Sequence, residues 1–295
     1  MSRLRQTLKL FGQAGRAWLD DDAPSMGAAL AFYSAFSLAP LLIIASAVAG
    51  LVFGQGAARE AVVSQFHELI GPIGAEAVQR LLNATANIGT GLFASAIGIA
   101  LLVIGASSVV IELQNDLNHI WRVPGAPHAG YTVLFRARLI AVGLILGFGF
   151  LLLVSLIINV ALAALVEHSH LFTQRAVLLH ALNLLFSLGA YSVLFAMLFK
   201  WLPHVSLAWG DVWRGAFVTA LLLSLGQIGI GFYLGRSATT SAYAAAGSLL
   251  VLLLWLYYAS QIFLFGAEFT GVYARQRRSA QRDRHSAPIH VPGVG

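Results

Sequence analysis

The chain of 295 residues contains no cysteine and only three methionines, and just 10% of its residues are charged. Without cysteine there are no disulfides, no thiolate metal sites and no cysteine nucleophile. So little charge also excludes an ordinary soluble surface, for which about 25% of residues are charged. Several motifs are missing too. The sequence has no Gly-x-x-x-x-Gly-Lys-[Ser/Thr] phosphate loop, no His-Glu-x-x-His and no Gly-x-Ser-x-Gly. Its polar segments are too short to fold into a separate catalytic domain. No catalytic residue, cofactor or metal is therefore expected, and the protein reads as a non-enzyme.

What is present is apolar. The hydrophobic fraction is 58%, and mean hydropathy is +0.79. The first long run, residues 28–53, carries no charge over 26 positions. At about 1.5 Å per helical residue it can cross a bilayer core of about 30 Å with some tilt. The run is too long for the apolar part of a cleavable signal peptide, and residues 1–27 contain no other. The expected fold is all-α: a polytopic membrane protein with six transmembrane helices, at about 28–53, 92–111, 139–166, 176–199, 211–234 and 246–271.

Orientation follows from the basic residues. With the N-terminus inside, 14 of the 18 Lys and Arg fall on the cytoplasmic side and 4 (Arg59, Arg80, Arg175, Arg236) on the far side. This is the positive-inside pattern, and it puts both termini in the cytoplasm. Net charge is +6. The basic residues lie beside apolar segments, so the expected partners are membrane lipids, with anionic headgroups at the cytoplasmic face, and not nucleic acid. A homo-oligomer is left open.

Three regions make up the chain. Residues 1–27 form a cytoplasmic amphipathic helix, with Leu4, Leu8, Phe11 and Trp18 on one face and Arg3, Arg5, Lys9 and Arg16 elsewhere. Such a helix rests among headgroups. Residues 28–272 hold the six spans. Residues 273–295 read as a basic, disordered tail. Asp22 or Ser25 can cap the first span, with Pro24 in its opening turn. Pro40 lies mid-span and predicts a hinge, with Ser37 able to re-satisfy a freed backbone group. Residues 54–91 are too polar to span and predict two short far-side amphipathic helices, broken at Gly71-Pro72.

Polar residues inside apolar segments mark candidate sites. Glu268 is the sharpest. It shares a face with Gln261 and Tyr257, close to the end of the last span, where the helix dipole opposes an anion. A carboxylate at that depth needs a cationic partner or a proton. Arg136, Arg138, Arg214 and Arg275 are the candidate partners on the same side. Either Glu268 belongs to a polar site, or it forms a structural ion pair that pins the last helix. The second span continues with helical periodicity from Ser107 to Trp121, and Pro124 then stops it. Glu112, Asn115 and Asp116 share its polar face with Ser108 and His119. Two carboxylates four residues apart can hold a metal only with further ligands, and no matching set exists. Asn159, Asn183, Gln227 and His180 read as interhelical hydrogen-bonding groups.

Four segments carry a resemblance. They are AALAFYSAFSLAPLLII (28–44), ELQNDLNHIW (112–121), Leu202-Pro203 followed by Trp209 and Trp213-Arg214-Gly215-Ala216, and YAAAGSLLVLLLWLYYASQIFLFGAE (243–268) with its Gly-Ala-Glu ending. Together they resemble the YihY/BrkB family of bacterial inner-membrane proteins over roughly residues 15 to 272. The resemblance implies six spans and a multi-pass location in the inner membrane. It also implies links to serum resistance, virulence and, in some relatives, export of envelope lipid. The family has carried the label ribonuclease BN. Metal-dependent RNA cleavage needs clustered His and Asp ligands and a basic surface, which this chain does not supply outside its tail. The expected function is a transporter or exporter of an envelope lipid or amphipathic anion. The alternatives are a structural envelope scaffold linked to virulence and, remotely, a ribonuclease.

Overall fold

The structure is a computed structural model that describes residues 2–86, 92–124, 173–205, 207–237 and 244–285, with positions 135, 139 and 143. Among these residues it is all helical. The seven helices are α1 (Ser2–Asp20), α2 (Ala23–Phe53), α3 (Gln55–Ala86), α4 (Leu92–Ile120), α5 (Thr173–Trp201), α6 (Trp209–Ser237) and α7 (Ala244–His285). The expected third span, 139–166, lies outside the described residues apart from two isolated helical positions, as do the last ten residues of the tail. Two described helices have stretches long and apolar enough to cross a membrane, Leu184–Trp201 and Leu250–Ser279.

The helices pack as a bundle. α2 lies against α3, α4 and α7, while α5 and α6 form a hairpin whose second arm packs on α7. One core joins α2, α4, α5, α6 and α7 through Leu30, Leu117, Ile120, Phe199, Val212 and Leu264. Its aromatic centre is Phe199, with ring centroids 5.2 Å from Phe263 and 6.0 Å from Trp121. The contact between α6 and α7 is unusually close. Thr219 fills the space where a side chain on Gly266 would stand, and Thr270 does the same at Gly215. Each threonine hydroxyl donates to its own helix, Thr219 to the Gly215 carbonyl at 2.8 Å and Thr270 to the Gly266 carbonyl at 2.7 Å. The two hydroxyls are thus satisfied without a polar partner across the seam.

Three expectations change. Residues 55–86 form one helix through Gly71-Pro72 instead of two. Its second half is packed: Ala77, Val78 and Leu82 lie against Leu38 and Leu42 of α2 and Leu252 of α7. That buried face outweighs the local break that proline imposes. The last helix runs on to His285, so residues 273–285 of the expected tail are helical. Pro40 sits within a continuous α2. Ser37 donates to the Ser34 carbonyl at 3.0 Å, and not to the Phe36 carbonyl that the proline leaves free. Close approach of α4 holds this part of α2, since a side chain on Gly105 would stand 3.1 Å from Ser37 Cβ.

Candidate functional site

Asp21 and Asp22 join α1 to α2. Asp22 takes a left-handed conformation, φ 55° and ψ 36°, and makes no side-chain cap to α2. Its carbonyl accepts from Ser25 N–H at 3.0 Å and Met26 N–H at 3.3 Å. Of the two residues expected to cap α2, Asp22 holds the cap position and Ser25 does not, and the backbone of Asp22, not its side chain, makes the bonds. Pro24 follows in the first turn, where a missing N–H costs nothing. Asp21 is buried at this corner, 5% exposed. It lies at the positive end of a 31-residue helix, which favours an anion there.

α4 supplies the cation. Past Ile120 the chain closes with Arg122 N–H donating to the His119 carbonyl and Val123 N–H to the Asn118 carbonyl. This is the six-to-one and five-to-two pattern of a Schellman ending, whose left-handed position glycine usually fills. Arg122 fills it here at φ 55°. Its guanidinium reaches Asp21 Oδ1 at 2.5 Å. Asp22 and Arg122 are the two non-glycine residues with positive φ among the described residues, and they flank this single ion pair. Trp121, beside Arg122, donates its indole N–H to the Ala267 carbonyl at 2.9 Å and so ties the end of α4 to α7.

Glu268 arrives from α7. It is fully buried, and among the described residues neither carboxyl oxygen has a hydrogen-bond donor. The charged groups that act on it are Asp21, Arg275 and Arg122. α7 continues 17 residues beyond it, so Glu268 is mid-helix and the dipole objection does not apply. Two turns earlier, Gln261 donates to the Pro24 carbonyl at 3.3 Å, while its Oε1 is buried and unpartnered. Gly27 makes room for it: a side chain there would stand 2.0 Å from Gln261 Nε2. Tyr257 is half-buried one turn further on. Gln261 and Glu268 thus both meet the start of α2.

The polar face of α4 divides. Asp116 is buried, with Oδ2 unpartnered. Burial, and then the charge of Glu112, pushes its carboxyl up to about 7. Glu112 is half-buried, whereas Asn115 and His119 are exposed, so Asn115 does not join the buried cluster. On the opposite flank, Gln114 donates to the Leu202 carbonyl at 2.6 Å. Asn118 meets His204 twice, at the ring Nδ1 (3.1 Å) and at the backbone N–H (2.9 Å). These bonds dock α4 on the turn after α5. The expected cations also redistribute. Arg275 is close to Glu268, but Arg214 lies over the Tyr273 ring and bonds its hydroxyl. Asp211 is held by Arg277 at 2.9 Å. The side chains of Arg136 and Arg138 lie outside the described residues. No group of three or more His, Asp or Glu that could hold a metal occurs among the described residues.

Sequence reasoning missed Asp21, Arg122, Gln114, Asn118 and His204. Asp21 was one of three adjacent aspartates with no periodic signal. The amides fell on the face of α4 opposite the carboxylates, and only the turn at 202–204 gives them partners.

Comparison with known proteins finds membrane proteins. Relatives described as UPF0761 membrane proteins include one from Tolumonas auensis, 32% identical over 178 residues that cover 60% of this chain and 56% of that protein. Another, from Paraburkholderia xenovorans, is 27% identical over 283 residues, 90% of this chain and 61% of the relative. A third, from Ralstonia nicotianae, is 26% identical over 250 residues, 84% and 55%. The chain spans about half to three fifths of the length of these relatives. No solved structure matches. The family model described as "Virulence factor BrkB" matches residues 14–290, and this chain is a membrane protein of the BrkB family.

Proposed function

We propose that the protein is a multi-pass inner-membrane transporter, with six spans and cytoplasmic termini, that moves an envelope lipid or amphipathic anion. The supporting observation is the set of buried polar atoms without partners that gather where α2 begins and α7 passes it, Gln261 Oε1 and both Glu268 oxygens, with Asp116 Oδ2 on α4. Unpartnered polar groups in an apolar bundle are costly and mark sites that do more than pack. In this reading Gln261, Tyr257, Glu112 and Asp116 face the substrate, the fully buried Glu268 lies behind them, and the role is not enzymatic. Exposed Arg5, Lys9, Arg16 and Arg278 attract anionic headgroups to the cytoplasmic face.

A second reading, a structural scaffold, is favoured by the interhelical bonds of Gln114, Asn118 and Trp121. Native mass spectrometry of detergent-purified protein separates the two, beside Gln261→Ala and Glu112→Gln. Transport predicts a lipid class retained by the wild type and lost by the variants. Equal folding of all three with no selective lipid, and no flux of labelled anionic lipid in vesicles, would establish the scaffold reading instead.

A further inference from the structure

Glu268 presents an imbalance that its neighbours do not resolve. It is 0% exposed, and among the described residues no donor reaches either oxygen. Asp21, the acid that acts on it, already receives the Arg122 guanidinium at 2.5 Å. Two acids therefore face each other out of water, and each carboxylate needs a donor. A metal ion does not fit, because the Arg122 and Arg275 guanidiniums act on the same carboxyl and would repel it. A headgroup does not fit a side chain with no exposed surface. A proton needs no room, and on either acid it creates the missing donor: the O–H of one carboxyl donates to the oxygen of the other.

The other described charges nearby do not act on Glu268; on α4, Glu112 and Asp116 act on each other. At this end of α6, Asp211 is held by Arg277 and Arg214 by Tyr273. On α3, Glu76 and Arg80 form their own exposed pair. On α1, Arg16 and Asp20 are exposed. The charges that bear on Glu268 are thus Asp21 from the turn before α2, Arg122 from the end of α4, and Arg275 from α7 itself.

We propose that Asp21 and Glu268 form a proton-binding pair, in which one proton shared between the two carboxyl groups holds α7 against the corner of α1 and α2. The proton enters from water at the Asp21 corner. Its loss leaves two buried carboxylates opposed, with Arg122 already committed to one of them, and the contact between α7 and the corner loosens. The inference is independent of what the protein transports.

The absence of cysteine gives a clean test. Gln13 of α1 and Gln276 of α7 touch at 2.5 Å and are exposed, so spin labels on Gln13→Cys and Gln276→Cys report the α1–α7 distance in the full chain in lipid nanodiscs. The expected result is a narrow, short distance at acidic pH that broadens and lengthens as pH rises. Glu268→Gln, whose amide supplies the donor permanently, stays short at every pH, and Asp21→Asn does likewise. A pH response that persists unchanged in either variant, or a wild type with no response, overturns the proposal. Should one variant fail to fold, the other decides. Infrared difference spectra on changing pH give a second readout: a protonated-carboxyl band lost in Glu268→Gln and kept in Asp116→Asn.

Discussion

Arg122 ends α4 in a left-handed backbone conformation while its guanidinium holds Asp21 Oδ1 at 2.5 Å. The strain and the ion pair occupy one residue. An L-residue with a side chain in that conformation costs about 1–2 kcal/mol, and glycine costs almost nothing. Arg122→Gly and Arg122→Ala lose the same ion pair but differ in strain. Arg122→Ala is expected to be the less stable by about 1 kcal/mol in denaturation of the detergent-solubilised protein. Equal stabilities would show that the left-handed geometry is not held in the native state.

Asp116 makes stability depend on pH. Its carboxyl lies at about 7 in the folded protein against 3.8 for an ordinary aspartate. Between those values the folded chain keeps a proton that the unfolded chain has released. The contribution is fully present below about pH 4, declines as pH rises and is gone above about pH 7. The displacement corresponds to about 4 kcal/mol at most. Asp116→Asn removes the titration, so its melting temperature is expected to vary less than the wild type's across this window. An unchanged slope would place the titration elsewhere.

The seam between α6 and α7 tolerates no added methyl. A side chain on Gly266 would stand 1.8 Å from Thr219 Oγ1 and 2.9 Å from its Cβ. Gly266→Ala is expected to cost about 1–3 kcal/mol, the usual range for overpacking. Combination with Thr219→Ala is expected to recover a measurable part of that loss. Additive effects in the double variant would mean that the two residues are not in contact.

Phe11 anchors α1 on α7. Phe11 stacks on Phe265, with centroids 6.1 Å apart, and tilts against Phe269 at 5.1 Å. Such pairs contribute about 0.5–1.5 kcal/mol each beyond area burial. Phe11→Ala is expected to release α1 without unfolding the bundle. Trypsin would then cut faster at Arg5, Lys9 and Arg16, while the remaining fragment keeps its melting temperature. Unchanged cleavage would show that the Gln13–Gln276 contact and Ala14 suffice.

Legibility in the sequence followed the range of the interactions. The apolar runs behind α2, α4, α5, α6 and α7 were readable because a long uncharged stretch has few alternatives to helix. Continuation of α4 to Ile120 was visible in its period. The unbroken α3 was not visible: Gly71-Pro72 is a local signal, and a face packed on Leu38, Leu42 and Leu252 overrides it. Glu268 and Gln261 stood out as polar residues in apolar helices. Of the charges around Glu268, Arg275 was expected; Asp21 and Arg122 were not, because they are separated by 101 positions and sit in turns where charge is commonplace. The exposed Asn115 was grouped with Asp116 by helical spacing, which separates faces but not which face is covered.

The length of α7 has a mechanical consequence. Its 42 residues form one rod, about 63 Å long at 1.5 Å per residue. Some 14 of them, about 21 Å, extend past position 271. Arg277–Asp211 and Gln276–Gln13 brace that projection near its base. A tilt of about 10° pivoting there would swing the far tip by roughly 2 Å. The last helix is thus a lever that can carry small rearrangements around Glu268 outward to whatever touches its end.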